Sequence, residues 1–142
     1  MYQRGMFKLF FVLSISLVLA VTGCADRKSR FKELNIQESL RELAIRYVNA
    51  EYSGDNEELI TLTKEAAQKA VKNGELSIFK NHKLNGINSI YFDKQKESTF
   101  YRIKVTVSST VEDSTIPSQY YEHILFKNYG DKWYIVKVER DT

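Results

Sequence analysis

The 142-residue sequence has little cysteine, proline, glycine or histidine: it contains one, one, six and two of them, respectively. A single cysteine excludes a disulfide framework. So little proline and glycine, without any compositionally biased run, excludes collagen-like, mucin-like and largely disordered chains. His82 and His123 lie far apart in the sequence, so their spacing does not predict a metal site. The sequence also lacks a glycine-rich phosphate loop and a Gly-x-Ser-x-Gly nucleophile elbow. We therefore expect neither a metal nor a cofactor.

Apolar residues are concentrated at the start of the chain. Arg4 and Lys8 make the start basic, and residues 9–21 are apolar apart from two serines. A basic segment followed by about 13 apolar residues is the layout of a secretory signal. A membrane-spanning helix needs roughly 20 apolar residues, so this stretch is short for a span. Residues 1–23 are therefore predicted to be a signal peptide.

The end of this leader reads Val21-Thr22-Gly23-Cys24. It resembles the bacterial lipobox, in which an aliphatic residue and two small residues precede a cysteine. The resemblance implies that the leader is cut before Cys24 and that a diacylglycerol is attached to the cysteine sulfur. We expect a lipid-anchored protein on the extracytoplasmic face of a bacterial cell membrane, with membrane lipid as a partner through Cys24. An uncleaved signal anchor that ends in a free cysteine is the alternative.

Loss of the leader changes the charge balance. The leader holds two of the 21 Lys and Arg residues and none of the 18 acidic residues, so the mature chain is nearly neutral. That balance does not predict nucleic-acid binding, which requires a basic surface on the folded domain. Four basic residues remain close to the anchor: Arg27, Lys28, Arg30 and Lys32. They are predicted either to contact lipid headgroups or to belong to a solvated linker. Residues 24–34 are predicted to form a short membrane tether, and residues 35–142 one domain.

Two helices are predicted at the start of this domain. Asn35 and Glu38 form a capping box, and Gly54 is a stop signal. The apolar residues between them recur every three or four positions: Ile36, Leu40, Leu43, Ala44, Tyr47 and Val48. A second capping box, Asp55 with Glu58, begins a helix that is predicted to end at Asn73-Gly74. For residues 75–86 the sequence leaves open a short strand or a helical turn.

Past residue 88 the hydrophobic period changes to two, which predicts β-strands. Residues 101–108 alternate, and residues 89–93 are a predicted partner strand across a polar turn at 94–98. Two further strands, 119–127 and 132–140, flank a turn at 128–131. The sequence thus predicts an α+β fold, with N-terminal helices packed on a curved antiparallel sheet of about four strands. The predicted core joins Tyr101, Ile103, Val105, Val107, Leu125, Val136 and Val138 to Leu40, Leu43, Tyr47 and Val48.

A turn centred on Tyr129-Gly130 predicts which residues of the last two strands lie opposite each other. One face then pairs Phe126 with Trp133, Ile124 with Ile135, and Glu122 with Lys137. The other face pairs Leu125 with Tyr134, His123 with Val136, and Tyr121 with Val138. Because the first face carries an ion pair, it is predicted to be wet and the second to face the core. Phe126, Trp133, Ile124 and Ile135 would then form an exposed apolar interaction face, unless the second helix or residues 75–86 fold over them.

The element order and two motifs resemble a known superfamily. The motifs are Tyr52-Ser53-Gly54-Asp55 at the end of the first helix and Gly130-Asp131-Lys132-Trp133-Tyr134-Ile135 in the last hairpin. Together they resemble the nuclear-transport-factor-2-like proteins, and more narrowly the small bacterial lipoproteins of that fold. A cystatin-like fold is the second choice. The resemblance implies a cone-shaped domain with a pocket at its wide end, although the chain lacks an obvious strand between its helices.

Catalytic members of that superfamily usually hold an Asp, His or Tyr set inside the cone. The candidate pocket residues here are Tyr47, Tyr101, Tyr121, His123 and Tyr134. A neutral His123 could act as a general base near neutral pH. No carboxylate lies on the predicted inward face to orient it, so we expect a non-catalytic binding or adaptor module. Its partner would be a protein, an envelope component or a second copy. A small SnoaL-like hydrolase or isomerase that uses His123 is the alternative.

Overall fold

The protein consists of three helices followed by a four-stranded antiparallel sheet. The computed structural model describes residues 3–75, 79, 81–93 and 100–141, with side chains from residue 27 onward. The helices are α1 (Gln3–Ser53), α2 (Asn56–Leu62) and α3 (Glu65–Lys72). The strands are β1 (His82–Asp93), β2 (Phe100–Val111), β3 (Pro117–Tyr129) and β4 (Lys132–Asp141), in the order β1-β2-β3-β4. The predicted α+β class is confirmed.

Two of the predicted segments lie wholly or partly outside the described residues. One is the polar turn at 94–98. The other is the segment 75–86, for which the sequence leaves open a strand or a helical turn, and of which residues 76–78 and 80 are not described. The strand that follows begins at His82, earlier than predicted, and pairs antiparallel with β2 along its length. Its register shifts twice, after Leu84 and after Ile87. Such bulges bend a strand and increase its twist, which curves this edge of the sheet.

The first helix is longer than the sequence predicts. α1 begins at Gln3, and residues 24–34 are helical, so Asn35 does not cap it. The chain divides into two compact units, residues 1–38 and 39–142, and the sheet belongs to the second. Gly54 ends the helix as predicted, with a φ of +73° that a side chain rarely adopts.

The second predicted helix is broken into two. Asp55 caps α2 as expected, and its carboxylate accepts a 3.0 Å hydrogen bond from the Glu58 N–H. Thr63 is then extended (φ −111°, ψ 156°), and the Lys64 N–H donates a 2.8 Å hydrogen bond to the Ile135 carbonyl of β4. This bond to the edge of the sheet replaces a helical one, so α3 starts again at residue 65.

The core lies between the sheet and residues 39–53 of α1. Ile103, Val105 and Val107 of β2 have no exposed surface, which confirms the predicted phase of that strand. The fully buried helix residues are Leu40, Ala44, Tyr47 and Val48. Four predicted core residues are only half-buried: Leu43, Tyr101, Leu125 and Val138.

The predicted register of the last hairpin is wrong. Tyr129 pairs with Lys132, so the turn consists of Gly130 and Asp131, with Gly130 at a φ of +80°. Two-residue hairpin turns favour glycine because they need positive φ. Moving the turn places Trp133 opposite Asn128 instead of Phe126.

A bulge in β4 changes the register again. The pairing shifts between Leu125 and Phe126, and Val136 is the extra residue on β4. Ile135, between the turn and the bulge, lies opposite Phe126, and beyond the bulge Glu122 lies opposite Arg140 instead of Lys137. A slip of one residue in the pairing exchanges the two faces of a strand. The bulge at Val136 has this effect only on the part of β4 that follows it.

Most of the predicted interaction face is part of the core. Ile124 and Phe126 have no exposed surface and Ile135 has 1%. Trp133 is half-buried. The charge of Glu122 predicts a wet face, whereas the Glu122 side chain is fully buried.

Candidate functional site

Three of the five predicted pocket residues lie on the solvent face of the sheet. His123 is flanked in β3 by two fully buried residues, so its side chain points away from the core. Its Nε2 is 3.2 Å from the Asp141 carboxylate, and its side chain is 25% exposed. Tyr121 lies on the same face, with the Lys104 Nζ 4.1 Å from its ring centre. Tyr134 pairs with Lys127, also on this face. The predicted general base thus has an acid beside it, but on the outside of the sheet.

The other two predicted residues lie on the core side, in separate places. Tyr47 is fully buried, and its hydroxyl donates a 3.3 Å hydrogen bond to Glu51. Tyr101 is half-buried and meets Trp133 edge to face, with ring centroids 5.4 Å apart. The five residues therefore do not share a pocket.

A different group of residues forms a buried charge cluster. Glu51 lies in the last turn of α1, one turn after Tyr47, while Glu122 and Arg140 are cross-strand partners in β3 and β4. The side chains of Glu51 and Glu122 have no exposed surface, and that of Arg140 is 17% exposed. Arg140 donates hydrogen bonds to the Glu51 carboxylate and, at 3.4 Å, to the Tyr47 hydroxyl.

Glu122 is the least compensated member of this cluster. Its Oε1 lies 3.9 Å from the Arg140 Nε, and neither of its carboxyl oxygens accepts a hydrogen bond from a described residue. Because burial penalises the charged form, the pKa of Glu122 is raised to about 7. Burial also raises the pKa of the Tyr47 hydroxyl above its usual range. Below about pH 7, Glu122 therefore keeps a proton at pH values where an exposed glutamate is already ionised.

Aromatic rings pack beside the cluster. The Phe79 ring lies 5.2 Å from the Arg140 guanidinium and stacks on Tyr52 at 4.8 Å. His82 and Tyr120 meet the same ring edge to face, at 5.1 and 5.5 Å. Burial raises the pKa of Tyr52 to about 12. The guanidinium thus contacts both a carboxylate and a buried ring, which suits the planar, weakly hydrated arginine side chain.

The cluster can hold a proton, and it lies away from the clefts that the structure shows on this domain. Three surface clefts of about 410, 430 and 390 Å³ open on the described part of the domain, and Glu51, Glu122 and Arg140 line none of them. Perturbed pKa values also arise in structural ion-pair networks. The geometry favours a structural role for this cluster.

Sequence reasoning missed both carboxylates, although a signal for one was present. Ala44, Tyr47, Val48 and Glu51 follow one another at three- and four-residue spacing on one helix face. Glu51 therefore continues the apolar stripe inward. The position of Glu122 in β3 showed only that it shares a face with Ile124 and Phe126, and tertiary packing decides which face of the strand is buried.

The 430 Å³ cleft lies between α1, α2 and the last hairpin. It is lined by Ser39, Glu42, Leu43, Arg46, Thr61, Leu62, Asp131, Lys132, Trp133 and Tyr134. Beside it, the Arg46 Nε donates a 2.8 Å hydrogen bond to Glu58. Trp133 is the chain's one tryptophan. The cleft thus offers a half-buried indole with charges of both signs around it, which is the composition of many binding sites.

Among the described residues, His, Cys, Asp and Glu side chains form no group of three or more that could hold a metal ion. Within that same part of the chain, no helix is sufficiently long and apolar to span a membrane.

The sequence matches no protein-family model, and none of the curated proteins matches it either.

Proposed function

We propose that this protein is a lipid-anchored, extracytoplasmic lipoprotein of a bacterial cell membrane, and that its α+β domain is a non-catalytic binding module. The observation that carries the anchor is the sequence Val21-Thr22-Gly23-Cys24 at the end of a basic, apolar leader. A single acyl chain gives only marginal membrane binding. The two chains of a diacylglycerol on Cys24 would keep the domain at the surface.

The non-catalytic assignment is supported by the interior of the domain. Its two buried carboxyls, Glu51 and Glu122, lie beside Arg140 and away from the surface clefts. His123, the candidate base of a SnoaL-like enzyme, lies on the outer face of the sheet. A general base must reach the proton that it removes, and these groups line none of the three clefts described above.

The order of the elements supports placing the domain with the nuclear-transport-factor-2-like lipoproteins. Helices come first, and an antiparallel sheet follows with its strands in sequence order. Bulges in β1 and β4 bend this sheet, as the cone-shaped fold requires. A cystatin-like domain is the second choice in this proposal.

The binding surface that we propose is the cleft containing Trp133. Tryptophan is the residue type most often found at the energetic centre of interfaces. Lys132 and Asp131 at the rim of the cleft are exposed, so a bound protein or envelope partner, or a second copy of the chain, would meet polar groups around a central indole. This is the rim-and-centre composition of protein interfaces.

The lipid anchor is tested by replacing its cysteine. In cells fed radiolabelled palmitate, we expect the wild-type protein to carry label and the Cys24→Ala variant to carry none, because no other cysteine is available. The matched control is Thr22→Ala, which keeps a small residue in the lipobox and should keep the label. Unlabelled wild-type protein that stays in the membrane fraction would show an uncleaved signal anchor instead.

The binding surface is tested by cross-linking in intact cells. A photo-cross-linking amino acid at Lys132 is expected to give a discrete adduct, whereas the same group at Tyr91, which is 64% exposed on β1, should give none. Trp133→Ala should reduce the Lys132 adduct by about tenfold, as expected for a central interface residue. The circular dichroism spectrum and the melting temperature of the Trp133→Ala variant must be measured in parallel. Equal adducts at the two positions, or none at Lys132, would contradict the assignment.

A further inference from the structure

The part of α1 that follows the proposed lipid anchor carries exposed apolar side chains. Phe31 is 69% exposed and Leu34 is 62% exposed. Both belong to the N-terminal compact unit of the chain, residues 1–38. Two large apolar side chains one turn apart on a helix, both mostly in water, are unfavourable unless something covers them.

Helix geometry places these residues on the same side as the anchor position. Positions 24, 27, 31 and 34 of α1 follow the i, i+3, i+7, i+10 spacing of one helix face. Cys24, Phe31 and Leu34 therefore share a face. With a rise of 1.5 Å per residue, Phe31 lies about 10 Å along the helix from Cys24.

Basic side chains border this face. Arg27 lies between Cys24 and Phe31 along it, and Lys28 and Arg30 flank it, all three exposed. The acidic Glu33 is half-buried and lies away from this face, and Glu38 comes one turn after Leu34, where the face ends. An apolar strip bordered by lysine and arginine is the composition of helices that lie in the surface of anionic membranes.

We propose that residues 24–34 of α1 lie along the surface of an anionic lipid bilayer, with Phe31 and Leu34 inserted among the headgroups. The occupant of this helix face is thus the same membrane that would hold the lipid on Cys24, and the proposal rests on that anchor. Charge complementarity selects anionic lipid, and the shared face allows anchor, Phe31 and Leu34 to reach the bilayer together. The segment is then a second membrane contact instead of a free tether.

The proposal is tested on the acylated protein in vesicles that contain brominated phosphatidylcholine, with or without phosphatidylglycerol. A Trp133→Phe background leaves one tryptophan in each of two variants, Phe31→Trp on the proposed face and Ser29→Trp on the opposite side of the helix. With phosphatidylglycerol present, the bromolipid should quench the Phe31→Trp variant about threefold or more beyond the Ser29→Trp control, as expected for shallow insertion of one helix face.

Other outcomes overturn the proposal. Equal quenching of the two variants means that the helix does not lie on the bilayer by this face. Equal quenching with and without phosphatidylglycerol overturns the assignment to anionic lipid. Flotation separates this test from the test of the anchor. Protein that floats with the vesicles but shows equal quenching of the two variants refutes the helix contact alone. Protein that does not float refutes the anchor. If the floated Phe31→Trp variant is not quenched, the helix face with Phe31 does not contact the bilayer and would be available to another protein.

Discussion

Replacing Arg140 with methionine is expected to destabilise the domain by about 3–5 kcal/mol, the usual effect of removing one partner from a buried ion pair. Methionine preserves most of the volume beside Phe79 but removes the charge that Glu51 and Glu122 share. Two buried carboxyls would then have no cation among the described residues of the cluster. Urea denaturation followed by circular dichroism measures the loss.

The matched control is the double variant Arg140→Met, Glu122→Gln. If charge is the cause, neutralising Glu122 should recover a large part of the lost stability, because one of the two uncompensated carboxyls is gone. If the double variant is as unstable as the single one, the contribution of Arg140 is packing against Phe79 and not charge.

The pH dependence follows from the same cluster. The pKa of Glu122 in the folded domain, about 7, is above that of an unfolded glutamate, so folding favours the protonated form. The stability that this provides is fully present below the unfolded pKa and is lost as the pH rises through 7. The wild-type domain should therefore be less stable at pH 8 than at pH 5, and Arg140→Met should be most damaging at the higher pH. Glu122→Gln should flatten the profile, because glutamine does not titrate.

The second large effect is expected at Phe126. Truncating this fully buried ring by Phe126→Ala should cost about 3–5 kcal/mol, because a cavity is left in the core. Leu125→Ala, at the neighbouring half-buried position on the other face of β3, is the matched control. It should cost about 1 kcal/mol or less, as substitutions outside the core usually do.

These two variants also test which face of β3 is buried. If the charge of Glu122 marked the wet face, Leu125 would be the core residue and Phe126 the exposed one, whereas in the structure Phe126 is fully buried and Leu125 is half-buried. Thermal melts of the two alanine variants measured together answer the question, and a larger loss at Leu125 would refute the orientation of β3 in the structure.

The sequence by itself determined the features that depend on neighbouring residues. The alternation of Ile103, Val105 and Val107 settled the phase of β2, because successive side chains in a strand point to opposite faces. The Asp55 cap and the Gly54 stop were visible for the same reason: each acts within one helical turn. These local signals were sufficient for the α+β class.

The tertiary structure decided the features that depend on bonds between distant segments. The break at Thr63 exists because Lys64 bonds to Ile135 of β4, and no local breaker marks it. The site depended on which face of β3 is buried, which points Glu122 inward together with Ile124 and Phe126. The turn and the bulge at Val136 then place Arg140 opposite it. From its residue type, Glu122 could only be predicted to lie on the surface, because a buried carboxyl requires a partner. That partner, Arg140, belongs to another strand. Side chains along a strand alternate with a period of two, so taking Glu122 to mark the wet face of β3 exchanged core and surface along the whole strand.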